Sequence, residues 1–108
     1  MMLGSEHVSE ERKKMVKLGQ IGVGNWGKNL LRNFANLPDA ELVAVSDISE
    51  EVLQKVGRQY PGVQLFSRAE ELIDLPEVEA VVIATEPVTH FPLAKRALEQ
   101  GKHVFVEK

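Results

Sequence analysis

The sequence predicts a doubly wound α/β domain built on a parallel sheet, and three observations carry that prediction. Short apolar runs rich in branched residues (18–23, 41–46, 80–85 and 103–106) alternate with stretches whose apolar residues recur at helical spacing. The first run enters a glycine turn, Gly22-Val-Gly24-Asn25-Trp26-Gly27, and Leu30, Leu31, Phe34 and Leu37 follow at helical intervals. The second run ends on an acid, Asp47, at about the twenty-residue interval expected between a glycine turn and a ribose-binding carboxylate.

Residues 1–16 are polar and charged, with the mixed run Glu10-Glu-Arg-Lys-Lys14, and read as a solvated, frayed tail ahead of a single domain over 17–108. The first strand, Leu18 to Val23, is almost continuously apolar, as a strand buried on both faces of a parallel sheet should be. A helix from about Asn25 to Asn36 ends before Pro38. The second strand, 41–46, gives way to a helix over 50–59 that Ser49 is placed to cap, with Glu50 and Glu51 in its first turn. Tyr60-Pro-Gly-Val63 turns the chain into a short strand, 64–66. Ser67-x-x-Glu70 then has the form of a capping box for a short helix through Ile73.

After Pro76 the fourth strand, 80–85, is the most apolar. Thr89 is positioned to cap a helix from about His90 to Gln100, Gly101 sits where a left-handed C-terminal residue belongs, and 103–106 is the fifth strand. Right-handed crossovers and parallel pairing then give the order 3-2-1-4-5. The switch point falls between strands 1 and 4, where ligands bind at the carboxyl ends.

Composition narrows the chemistry. The 108 residues carry a net charge of −3, 44% hydrophobic and 27% charged residues, which suits one globular domain and gives no basic field for nucleic acid. Any anion site must therefore be made locally, from backbone amides. No cysteine is present, which removes disulfides, thiolate catalysis and cysteine-ligated zinc. The three histidines (His7, His90, His103) have no metal-ligand spacing. No apolar run is long enough to span a bilayer and the first residues lack a signal-peptide core, so the expectation is a cytoplasmic protein with no membrane partner.

The candidate site residues gather at the strand ends. Gly22 permits a sharp turn, Gly24 keeps no side chain between backbone and a pyrophosphate, and Gly27 lets the helix pack closely on the strand. Amides around Asn25 and Trp26 then face the ligand from the positive end of the helix dipole. The indole of Trp26 either covers the phosphates or packs on the next loop. Asp47 is placed to accept from the adenosine ribose hydroxyls. It would repel a 2′-phosphate by about 1 kcal/mol at 4 Å in water and about 4 at an effective dielectric near 20. Neither Ile48 nor Ser49 supplies an offsetting arginine, so NAD is expected over NADP, unless a lysine or arginine from elsewhere blunts the preference.

Thr85, Glu86 and His90, in the loop after the fourth strand, stand at the nicotinamide half. Glu86 is either a contact or a solvated acid, and His90 either a site residue or a packing element at a helix start. Glu107 and Lys108 close the fifth strand at the same edge, where a lysine can polarise a substrate hydroxyl.

Three stretches, Gly22-Val-Gly-Asn-Trp-Gly-Lys-Asn-Leu30, Ala84-Thr-Glu-Pro-Val-Thr-His90 and Gly101-Lys-His-Val-Phe-Val-Glu-Lys108, together resemble the N-terminal domain of the glucose–fructose oxidoreductase/inositol dehydrogenase (Gfo/Idh/MocA) family. The first is most similar to members acting on sugar nucleotides. The resemblance covers about 17–108 and implies a Rossmann-type fold, NAD or NADP, and interconversion of a hydroxyl and a ketone on a sugar or sugar nucleotide. Glu107-Lys108 matches the start of the family's Glu-Lys-Pro motif, which implies that Lys108 is the catalytic contact to substrate and nicotinamide. Glu86 departs from the proline many members carry there.

Family members are several times longer, and their second domain supplies substrate contacts, acid/base groups and the oligomer interface. The resemblance thus implies the cofactor half of a sugar dehydrogenase that binds NAD but does not turn over alone. The alternative is a free-standing nucleotide-binding sensor or regulatory module. Strand 103–106, left as an apolar sheet edge, is expected to drive self-association into a homo-oligomer.

Overall fold

The computed structural model describes residues 15–107, apart from the side chains of Asn25 and Trp26. The expectations for the tail before Met15 and for Lys108 therefore lie outside the described residues.

Five strands, β1 (Val16–Ile21), β2 (Ala40–Ser46), β3 (Gln64–Phe66), β4 (Ala80–Ile83) and β5 (His103–Val106), form one sheet in the order β3-β2-β1-β4-β5. Every pairing is parallel. Helices α1 (Gly24–Ala35), α2 (Glu50–Gln59), α3 (Ala69–Ile73) and α4 (His90–Glu99) supply the crossovers. The Rossmann-type topology is the one expected.

Helix period and strand alternation build two cores, one on each face of the sheet. On one, Leu31 of α1 and Leu53 and Val56 of α2 cover Val45 and Val23. On the other, Leu72, Ile73 and Ala97 from α3 and α4 cover Ile21, Val81 and Ile83. The five-residue α3 is too short to hold by propensity. Leu72 and Ile73, both 0% exposed, hold it by burial worth roughly 1.5–3 kcal/mol each. Gly19 makes room for this: a Cβ there would stand 2.7 Å from Leu72 Cδ2.

Several boundaries differ from the sequence expectation. β1 starts at Val16, whose N–H donates to the Asp39 carbonyl at 2.9 Å, and stops at Ile21 because Gly22 turns the backbone to φ +91°. β4 stops at Ile83 for a related reason, since its neighbour β1 has by then turned away. Ser49 caps α2 as expected, accepting from the Val52 N–H at 3.2 Å.

The other two expected caps do not form. α3 begins one residue later than a Ser67 capping box requires, leaving Arg68 at the N-cap with no side-chain bond. Residues Pro87–Thr89 form a 3₁₀ turn ahead of α4, and the Thr89 hydroxyl donates to the Glu86 carbonyl at 2.8 Å. That hydroxyl thus braces the loop instead of capping the helix.

Candidate functional site

The sheet order reverses between β1 and β4, and the carboxyl ends there open into a crevice of about 950 Å³. Its floor is the glycine turn. Gly22 is held by an N–H bond to the Ser46 carbonyl at 2.9 Å, so the turn follows the end of β2. A Cβ on Gly22 would meet the Ala84 carbonyl and Thr85 Cγ2, each at 2.8 Å, which explains the glycine sterically as well as by its φ. Gly27 abuts the same turn, 2.7 Å from the Gly22 oxygen to where its Cβ would be. Gly24 is different: among the described residues beyond its own helix turn, its Cβ would meet nothing within 4 Å. That glycine leaves a vacant cradle in front of the helix.

Helix α1 starts at this cradle without a side-chain cap and with no acidic residue in its first turn. Helix α2, one crossover later, has both. The first amides of a helix need an acceptor, and α1 offers them to whatever enters the crevice. The side chains of Asn25 and Trp26 lie outside the described residues.

Asp47 follows β2 and reaches back under the turn. Its Oδ2 accepts from the Val23 N–H and its Oδ1 from the Ser49 N–H, each at 2.9 Å. Two amide donors hold the carboxylate in place, and a carboxylate with about four acceptor sites keeps capacity for further hydroxyl donors. Ile48, 96% exposed, lines the crevice beside it.

Across the crevice, the Ala84 N–H donates to the Ile21 carbonyl at 2.8 Å and the Glu107 N–H to the Ile83 carbonyl at 2.9 Å, which brings both loops to one edge. Thr85, Glu86 and Glu107 line the crevice. His90 does not. Its Nε2–H donates to the Thr85 carbonyl at 2.8 Å, so the ring fixes the loop from behind. Because Thr89 donates to Glu86, the Thr85 hydroxyl is the donor in its bond to Thr89. Among the described lining residues the charges are Asp47, Glu70, Glu86 and Glu107 against Arg68 alone. A phosphate in this crevice therefore depends on the α1 amides rather than on a basic field, as composition suggested.

Several lining residues were not read from the sequence, among them Arg68 and, on the far wall, Val88 and Leu93. β3 pairs beside the end of β2 (Ser46 with Phe66), and that tertiary register alone brings Arg68 to the crevice. Gln20 was also passed over, although it is the polar residue among the buried positions of β1. Among the described residues no trio of metal-ligating side chains gathers, and no helix is long and apolar enough to cross a membrane.

An uncapped helix at a glycine cradle, a buttressed carboxylate one strand away and a crevice at the switch point define a dinucleotide-binding domain. Residues 16–108 match the model of the "Oxidoreductase family, NAD-binding Rossmann fold", and the chain belongs to this glucose–fructose oxidoreductase/inositol dehydrogenase family as an NAD-binding domain. It is 39% identical over 94 residues to the uncharacterized oxidoreductase YdgJ of Escherichia coli, covering 86% of this chain and 26% of that protein. It is 34% identical over 103 residues to a glycosyl hydrolase family 109 protein of Shewanella, covering 85% of this chain and 22% of that one. Among solved structures, scyllo-inositol dehydrogenase of Lactobacillus casei with bound NAD(H) and scyllo-inositol superposes with a TM-score of 0.84 at 28% identity, over 88% of this chain and 28% of that chain. The chain thus spans about a quarter of the length of the relatives it matches.

Proposed function

We propose that this chain is the cofactor half of an oxidoreductase that oxidises a CH–OH group of a sugar or sugar nucleotide to a ketone, or runs the reverse. The single observation that carries the reading is the uncapped start of α1 facing a glycine whose missing side chain leaves the crevice open. The scyllo-inositol bound beside NAD(H) in the Lactobacillus casei enzyme supports a polyhydroxylated substrate, and the glycosyl hydrolase relative supports a carbohydrate one.

In this reading the first-turn amides of α1 hold the diphosphate, and Asp47 takes the adenosine ribose hydroxyls. Ile48 borders the adenosine, and Thr85, Glu86 and Glu107 border the nicotinamide, with His90 holding their loop. The nicotinamide, when bound, accepts a hydride from the substrate carbon. Lys108, next in sequence after Glu107, contacts the substrate hydroxyl as the family resemblance implies, and that hydroxyl's proton leaves to a base as the C–O bond gains its second pair. Positioning and proton transfer are incomplete in 108 residues, so this chain binds cofactor without turnover. Pairing through the free edge of β5 makes it a homo-oligomer.

Fluorescence titration with NADH tests the reading: a saturable signal, tighter than that with NADPH, is expected. No saturable signal at millimolar NADH would overturn it, and reduction of a sugar ketone by the chain alone would overturn the division of labour.

A further inference from the structure

Gln20 lies in the buried C-terminal part of β1, 1% exposed, between Gly19 and Ile21. A buried amide in an apolar strand is costly unless its hydrogen bonds are made. Its Nε2 makes two, donating to the Gly22 carbonyl at 2.9 Å and to the Gly27 carbonyl at 2.9 Å. Those oxygens belong to the first and last glycines of the turn, so one side chain spans the turn from beneath. The fit is close: a Cβ on Gly27 would come within 3.2 Å of that same nitrogen. Oε1 finds no partner among the described residues. The residue thus keeps a buried acceptor unsatisfied while its two donors are used in full. Leucine, of similar volume, would remove that penalty, and only the two donor bonds distinguish glutamine from it.

We propose that Gln20 is a positioning residue of the cofactor site, holding the entry and exit of the glycine turn at the spacing at which the α1 amides receive a diphosphate. The proposal rests on the NAD reading above and names what sets the shape of that site. Gly22 is held from the β2 side by Ser46, and Val23 by Asp47. From the α1 side, Gln20 is the side chain bonded to both glycine carbonyls. Without it the turn is hydrogen-bonded from the β2 side only, its α1 side is left to packing, and preorganisation of the amides is lost.

Titration of Gln20→Leu and Gln20→Glu with NADH, on samples shown by circular dichroism and urea titration to be folded, tests the proposal. Binding to a folded population does not register global stability, so a purely structural role leaves the Kd unmoved. Gln20→Leu is expected to weaken NADH by about tenfold, the scale of one lost buried hydrogen bond. Gln20→Glu should weaken it further, because an acceptor-only carboxylate then faces two carbonyl oxygens. Binding by folded Gln20→Leu within about twofold of the unaltered chain would overturn the proposal. Should either variant fail to fold, the side-chain amide signals of Gln20 in the unaltered chain decide by NMR. A shift and slowed exchange on adding ADP-ribose supports the assignment, and unchanged signals while the Gly24 amide responds overturns it. If the unaltered chain shows no NADH response, the cofactor reading itself has failed.

Discussion

The Val23 N–H donates to Asp47 Oδ2 at 2.9 Å, which joins the glycine turn to the end of β2. One carboxylate therefore fixes the turn and, in the proposed cofactor reading, faces the adenosine ribose. In that reading it also places a negative charge where a 2′-phosphate would come. Replacing Asp47 by Asn keeps an acceptor for one of the two amides and removes the charge. NADH affinity should fall several-fold, while the ratio of NADPH to NADH affinity rises about fivefold or more, the equivalent of about 1 kcal/mol of relieved repulsion. Parallel titrations measure it, and an unchanged ratio would remove Asp47 from the ribose site. Arg68, which lines the same crevice, should bound how far NADPH is rejected.

Gly22 and Gly24 both have positive φ, +91° and +36°, yet alanine should act differently at each. Either substitution strains the backbone by about 1–2 kcal/mol. At Gly22 the new methyl also meets the Ala84 carbonyl at 2.8 Å, so the urea midpoint should fall by clearly more than strain alone predicts. At Gly24 it meets nothing among the described residues beyond its own helix turn and enters the cradle. Gly24→Ala should therefore stay folded and lose NADH binding. A Gly24→Ala chain that binds NADH like the unaltered one would place the diphosphate elsewhere.

Much of this was legible in the sequence because local signals agreed with each other. Apolar runs, glycine at Gly22 and Gly101, and the Ser49 cap each fix one element, and alternation of elements fixes the sheet order. The two missed caps show where such reading stops. Ser67 and Thr89 have capping chemistry, but α3 begins one residue late and the Thr89 hydroxyl is drawn into the Thr85–Glu86 loop. His90 was left open between a site residue and a packing element, and only coordinates show its bond to a carbonyl five residues back. Arg68 needed the β2–β3 register to reach the crevice, and Gln20 needed coordinates to show which carbonyls it spans.

Asp74, at the end of α3, accepts from Arg96 of α4, with Arg96 Nε at 3.1 Å from Oδ1. That hydrogen bond, then the charges of Arg96 and Lys102, hold its carboxyl below the ordinary 3.8 against an opposing effect of burial. A carboxyl lowered in the folded state stabilises the fold above its unfolded pKa and ceases to do so as pH falls through the folded value. Asp74→Asn should therefore melt slightly below the unaltered chain at neutral pH, and the two should converge in strong acid. Thermal scans from pH 7 down to pH 2 measure the gap, and a gap that widens toward acid would contradict the pairing.

The last strand of the sheet makes its own prediction. Among the described residues β5 pairs only with β4, and Phe105 and Val106 stand 57% and 46% exposed. An unpaired apolar edge recruits another strand, and a twofold partner would bring the same edge of a second copy. Sedimentation velocity should show association that grows with concentration. Phe105→Lys places a charge on the edge and removes apolar burial worth roughly 1.5–3 kcal/mol from each partner. Two copies of that loss weaken a dimer by at least about a hundredfold, so the variant should sediment as a monomer where the unaltered chain does not. A chain that stays monomeric at high concentration, with or without the lysine, would mean that β5 is not the contact.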